Sequence, residues 1–184
     1  MSVPQVVVHA DPAVLAAAIA SRLVTTVVDA QVARGTASVA LTGGGVGTAV
    51  LEQLRMSAAC LAIDWSRLDI FWGDERYLPA GHPERNETQA RAALLDHVGV
   101  DPARVFPMAA SDGPLGNDPD AAAADYAGTL AARSQSEDHG AVPRFDVLML
   151  GMGGEGHVAS VFPESPAAYE RERTVVAVRH CPKP

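Results

Sequence analysis

The sequence predicts an α/β protein built on a doubly wound, mostly parallel sheet with helices on both faces. Three observations predict it. Short β-branched or apolar runs recur along the chain, glycine or polar turn residues close them, and amphipathic helical patterns lie between them. Alternation of this kind makes parallel strands joined by helical crossovers, and the helices cover the sheet on both sides. Sheets of this type take ligands beyond the carboxyl ends of their strands, so the loops there are where chemistry is expected.

In chain order, Val6 to Val8 is a short β-branched run and is expected to form a strand. Asp11-Pro12 opens a helical pattern rich in Ala, Leu, Ile and Val that runs to about Arg34, where Gly35-Thr36 breaks it. Ser38 to Leu41 reads as the next strand, and after three glycines a helix is expected from about Thr48 to Ala58. Leu68 to Trp72 is a third apolar run, followed by a long polar loop, a helix near Asn86 to His97, and an extended piece at Arg104 to Met108. The Pro, Gly, Asn and Asp residues of 112–119 form a surface loop, and Asp120 to Ala132 is an alanine-rich helix. Phe145 to Leu150 reads as a buried strand and Thr174 to Val178 as another, with no repeat, low-complexity tract or linker dividing the chain.

The 184 residues suffice for a single domain, residues 1–184, and 48% apolar with 20% charged residues is ordinary globular composition. The net charge of -8 disfavours nucleic acid and anionic lipid as partners. Thirteen of the fourteen basic residues are arginine and the lone lysine is Lys183, a bias that alanine-rich composition ties to a GC-rich genome. Cys60 and Cys181 show no CxxC or Cys/His spacing, so neither a disulfide framework nor a metal site is expected. No segment is expected to reach the roughly 18 apolar residues of a membrane span, and the first residues lack the pattern of a secretory signal. A cytoplasmic protein is expected.

Three loops at strand ends carry the chemistry. Gly43, Gly44 and Gly45 stand between a strand and a helix, where unpaired N–H groups and the helix dipole suit an anion such as phosphate, although a plain strand-to-helix turn has the same composition. The lysine of a P-loop is absent. Asp74, Glu75 and Arg76 follow the third apolar run, with Arg85 and Asn86 at the next helix start; these suit substrate binding or a salt-bridged loop equally. In "FDVLMLGMGGEGHVASVFP", four glycines fall within residues 151–156 and His157 follows them. Gly151, Gly153 and Gly156 spell GxGxxG, but a dinucleotide site also needs a long helix and an acid about twenty residues on, and Pro163 and Pro166 deny the helix. His157 has an imidazole suited to proton transfer near neutrality. His9, His82, His97, His139 and His180 read as structural or surface groups.

Four blocks in this order, LTGGG at 41–45, FWGDERYLPAGHPERNETQARAALL at 71–95, FDVLMLGMGGEGHVASVFP at 145–163 and CPKP at 181–184, resemble the 6-phosphogluconolactonase family. The resemblance implies a Rossmann-like fold of the deaminase and lactonase type. It implies hydrolysis of 6-phosphoglucono-δ-lactone in the oxidative pentose phosphate pathway, with no metal or organic cofactor; a monomer is expected. It also implies a chain that continues past Pro184 into more sheet and helix. Carried over by position, His157 is the general base, Asp74 orients the imidazole or the water, and Arg76 or turn N–H groups stabilise the oxyanion. Thr42, Gly43, Gly44, Gly45, Arg85, Asn86, Gly153, Glu155 and Lys183 fall to substrate or phosphate binding. Where many members read GPDGHTAS this chain reads GGEGHVAS, so Gly154, Glu155 and Val158 depart from the pattern. Two alternatives stand beside this one. Glucosamine-6-phosphate deaminase is similar in fold, but Phe162 occupies the place of its carboxylate. A sugar-phosphate-binding domain without catalysis would keep only the glycine loop.

Overall fold

The computed structural model describes residues 4–136, 138 and 140–181. Its centre is a three-stranded parallel sheet in the order β2-β1-β3, formed by Ala37–Leu41 (β1), Leu68–Trp72 (β2) and Val147–Leu148 (β3). Beside β2, Val105 makes one further parallel bridge to Ile70, within the extended piece expected at 104–108. Because β1 is central, the chain leaves it toward β2 and returns only after a long crossover to β3 on the other side. The crevice above the carboxyl ends of β1 and β3 is therefore the switch point at which α/β sheets bind ligands.

Helix α1, Pro12–Arg34, starts where local chemistry demands it. Asp11 Oδ1 accepts from the Ala13 and Val14 N–H groups at 2.9 Å each, Pro12 occupies the first turn, and Gly35 closes the helix at φ 81°. Its length and hydropathy reach those of a membrane span, contrary to the expectation that no segment does. Here Ala16, Ala20, Leu23, Val24, Val27 and Ala30 form a buried stripe in the main core instead. That core lies on one face of the sheet and also takes Val50, Leu51 and Leu54 of α2 (Gly44–Met56) and Ala90 and Ala93 of α3 (Asn86–Ala93).

The opposite face is covered by α4, Pro119–Ala131, through Tyr126 and Leu130 on Ala40 and Phe71. Tyr126 also holds the end of β2: its hydroxyl accepts from Trp72 N–H at 2.9 Å and donates to Trp72 C=O at 3.2 Å. Burial pushes the phenol up to about 12. Tyr126→Phe removes the partner of two buried backbone groups and is expected to cost about 1–3 kcal/mol in urea unfolding. The sign of the pH dependence follows from the raised value. The unfolded phenol, near 10, ionises first, so this contribution is whole below pH 10 and is lost as pH climbs toward 12. The Phe variant should lack that alkaline decline.

Three strand expectations are corrected. Val6 and Val8 are 87% and 88% exposed and form no strand, because β-branched residues favour a ladder only where a neighbouring strand exists to make one. The run at 145–150 keeps only two ladder residues, and Leu148 and Leu150 are more than half exposed; β3 is paired to β1 alone. Residues 174–178 form no strand; Thr174 is exposed and 175–178 are half-buried, with Val175 packed beside α4. Helix α2 begins at Gly44, four positions before the expected start, since its glycines sit in the first turn rather than before it. The helix expected to reach His97 ends at Ala93 and continues as a 3-10 turn, Leu95–His97.

Candidate active site

The glycine loop follows β1 without any intervening coil beyond Thr42 and Gly43. Gly43 is the N-cap of α2 and has no side chain to satisfy the helix's first N–H groups. Those donors border a cleft of about 650 Å³ shared by Thr42, Gly43–Gly45, Asp74, Arg76, Asn86, Gly153 and His157. The structure thus brings most of the expected residues around one space. Lys183 and His139 lie outside the described residues.

At the end of β2, Gly73 N–H donates to Leu41 C=O at 2.9 Å and ties the second loop to the first. Of the two groups that Asp74 was expected to orient, the imidazole or the water, it makes no hydrogen bond to the imidazole. Its Oδ2 accepts from Ser160 Oγ at 2.6 Å and its Oδ1 from Asn86 Nδ2 at 3.1 Å, while the same Nδ2 also donates to Asp74 C=O at 2.9 Å. Asn86 is 3% exposed and lies against Gly43 so closely that a Cβ there would overlap its Oδ1. Gly43→Ala is therefore expected to push Asn86 off Asp74 and weaken binding of a phosphorylated ligand in the cleft by tenfold or more in calorimetric titration, with the fold intact. Arg76 lines the same cleft, and its guanidinium has no hydrogen bond or ion pair among the described residues.

Arg85 is corrected from ligand to scaffold. It is fully buried, donating to Leu78 C=O at 3.2 Å, Met108 C=O at 2.8 Å and Ala109 C=O at 3.4 Å. It also pairs with Glu87 at 3.2 Å and Glu75 at 3.7 Å. Its side chain runs inward beneath the polar loop, where carbonyls that no ladder satisfies need donors, and only its neighbour Asn86 faces the cleft. Burial pushes the Glu75 carboxyl above its ordinary range, against the pull of three backbone N–H groups and Arg85.

The third loop is a tight turn rather than the start of a helix, which removes the dinucleotide alternative. Gly156 N–H donates to Gly153 C=O at 3.0 Å, Gly153 N–H donates to His157 C=O at 2.9 Å, and Met152 bridges antiparallel to Val158. His157 is only 6% exposed. Its ring lies 4.4 Å from Phe162 on one side and so near Gly153 that a Cβ there would overlap it. Its Nδ1 is 3.0 Å from Glu155 Oε2. Glu155, expected among the substrate ligands, is thus a hydrogen-bond partner of the imidazole; an ionised carboxylate only accepts, which places the proton on Nδ1 and, in the neutral ring, the lone pair on Nε2. Ser160, to which the sequence assigned no role, also reaches the cleft residues from this segment, through its hydrogen bond to Asp74; its place in the motif GHVAS was the available signal.

These loops match a known arrangement. A profile of the family described as glucosamine-6-phosphate isomerases/6-phosphogluconolactonase matches residues 10–184. The chain belongs to this family. It is 60% identical over 181 residues to the 6-phosphogluconolactonase of Streptomyces coelicolor, covering 98% of this chain and 69% of that protein. Against the 6-phosphogluconolactonase of Mycobacterium tuberculosis it is 52% identical over 174 residues, with 95% of this chain and 69% of the relative covered. Among solved structures, the 6-phosphogluconolactonase of Trypanosoma brucei superposes with a TM-score of 0.79 at 31% identity, covering 98% of this chain and 73% of that one. The family fold is the α/β, Rossmann-like arrangement described above, and the chain spans about seven tenths of the length of the two bacterial relatives.

Proposed function

We propose that this chain hydrolyses 6-phosphoglucono-δ-lactone to 6-phosphogluconate, with His157 as the general base. Relatives of that name, 60% and 52% identical over nearly the whole chain, support the reaction and its place in the pentose phosphate pathway. The observation that carries the residue roles is a buried imidazole bonded at Nδ1 to a carboxylate, in the cleft that also holds the glycine loop.

In this mechanism Nε2 of His157 takes a proton from water as the water oxygen attacks the lactone carbonyl carbon. Glu155 steadies the imidazolium that forms. The carbonyl oxygen becomes an oxyanion, which the guanidinium of Arg76, without a partner among the described residues, stabilises. The tetrahedral intermediate then collapses, the bond from C1 to the ring oxygen breaks, and that oxygen receives the proton from His157. The 6-phosphate lies away from the reacting bond; held by the N–H groups of Gly44 and Gly45 at the start of α2, it keeps the ring in register and offsets lost entropy. Asp74 and Asn86 build the wall between these two subsites. Phe162, whose ring lies tilted 4.4 Å from that of His157, stands where the resemblance puts the deaminase carboxylate, which disfavours the isomerase reading.

The test is lactonase turnover with the lactone generated in situ from glucose 6-phosphate and spontaneous hydrolysis subtracted. Acceleration proportional to enzyme concentration is expected. Tight binding of 6-phosphogluconate without acceleration would make the chain a sugar-phosphate-binding domain instead.

A further inference from the structure

We propose that Glu75 is a positioning residue for this reaction, capping α3 from outside the helix and so holding Asp74, Arg76 and the Gly43 loop in one arrangement. The inference rests on the lactonase reading of the cleft but concerns a side chain that touches no substrate in it.

Helix α3 has an N-cap residue, Arg85, whose side chain makes no capping bond. The helix's first two N–H groups are satisfied instead by a carboxylate ten residues before that cap: Glu75 Oε1 accepts from Asn86 N–H at 2.6 Å and Oε2 from Glu87 N–H at 2.9 Å. A negative group at this end also complements the helix dipole. The same Oε1 accepts from Arg76 N–H at 2.7 Å. One carboxylate, its side chain 3% exposed, therefore joins the backbone that launches Arg76 to the backbone that launches Asn86.

Asn86 extends the connection to both subsites. Its amide nitrogen donates to the carbonyl and carboxylate of Asp74, and its oxygen fills the space that the missing Cβ of Gly43 leaves. A displacement of the α3 start would move the oxyanion side and the phosphate side of the cleft together. Helix capping alone needs only one acceptor, which an ordinary N-cap Ser or Asp supplies from its own position. Here the acceptor comes from the active-site loop, and that choice makes the cap a coupling between loops.

Glu75→Gln tests this in the full chain, because it preserves shape and one acceptor but turns a donor toward Glu87 N–H. We expect kcat/KM per folded molecule to fall at least tenfold and the 6-phosphogluconate dissociation constant to rise at least fivefold. Amide hydrogen exchange should quicken at 43–47, 74–76 and 86–88 while α1 and β1 stay protected. Uniformly faster exchange throughout, with kcat/KM and affinity within twofold of wild type, would overturn the proposal and leave Glu75 a stabiliser of the fold alone. Should the Gln variant not fold, Glu75→Asp keeps the charge beside Arg85 but is too short to reach both N–H groups, and the same readouts decide. If wild type itself shows no turnover, the lactonase reading fails, whereas the exchange pattern still decides the positioning role.

Discussion

His157→Asn is expected to lower kcat by roughly a hundred- to ten-thousand-fold, the range that a well-placed general base contributes. Asparagine is the informative substitution because its side-chain amide can donate to Glu155 as Nδ1–H does, so the turn keeps its contact while the basic nitrogen is lost. The phosphate subsite proposed at Gly44 and Gly45 is on the other wall of the cleft, so affinity for 6-phosphogluconate should stay within about threefold. Paired measurements of kcat by the coupled lactone assay and of product affinity by calorimetry separate the two effects. Turnover close to wild type in this variant would remove His157 from the proton transfer and direct attention to Asp74, the other ionisable acid in the cleft.

The largest expected effect on stability belongs to Arg85→Ala. The change strips a cation from Glu75 and Glu87, takes their donor from the carbonyls of Met108 and Ala109 and leaves that of Leu78 with Ser111 N–H, all in a region where Arg85 itself is fully buried. Removing one partner of a buried pair costs about 3–5 kcal/mol, a large share of the roughly 5–15 kcal/mol that holds a domain together. At about 2–4 °C per kcal/mol for a chain of this size, the melting temperature should drop by roughly 6–20 °C. Arg85→Lys should recover only part of this, since an ammonium cannot span three separated carbonyls as a guanidinium fork does. An unchanged melting temperature with a raised KM in the Lys variant would return Arg85 to substrate binding.

The contrast between Arg85 and Asn86 shows what neighbours in a sequence conceal. Both stand at a helix start after a strand, and residue type alone favours the arginine as the anion ligand. Which of two adjacent side chains faces the cleft depends on the helix phase and on the carbonyls beneath the loop, and those come from residues 78, 108 and 109. Likewise, Asp74 and Glu155 were both available to orient His157. The choice turned on Ser160 and Asn86 occupying the Asp74 carboxylate, contacts that span 86 and 12 residues of chain.

By itself the sequence determined whatever local chemistry settles. It set the start of α1 at Asp11-Pro12 and its stop at Gly35, the limits of β2 at Leu68 and Trp72, the two glycine turns and the histidine that follows the second. Caps, prolines and glycines act within a few residues, and so they can be read without a partner in view. Tertiary structure alone decided which apolar runs became strands. Val6 to Val8 and 174–178 are richer in β-branched residues than β1, but backbone N–H and C=O groups join a sheet only where another strand presents its own. It also decided the division of labour in the cleft, because a carboxylate's role is set by whichever donors the fold brings within about 3 Å of it, and those donors are remote in the chain.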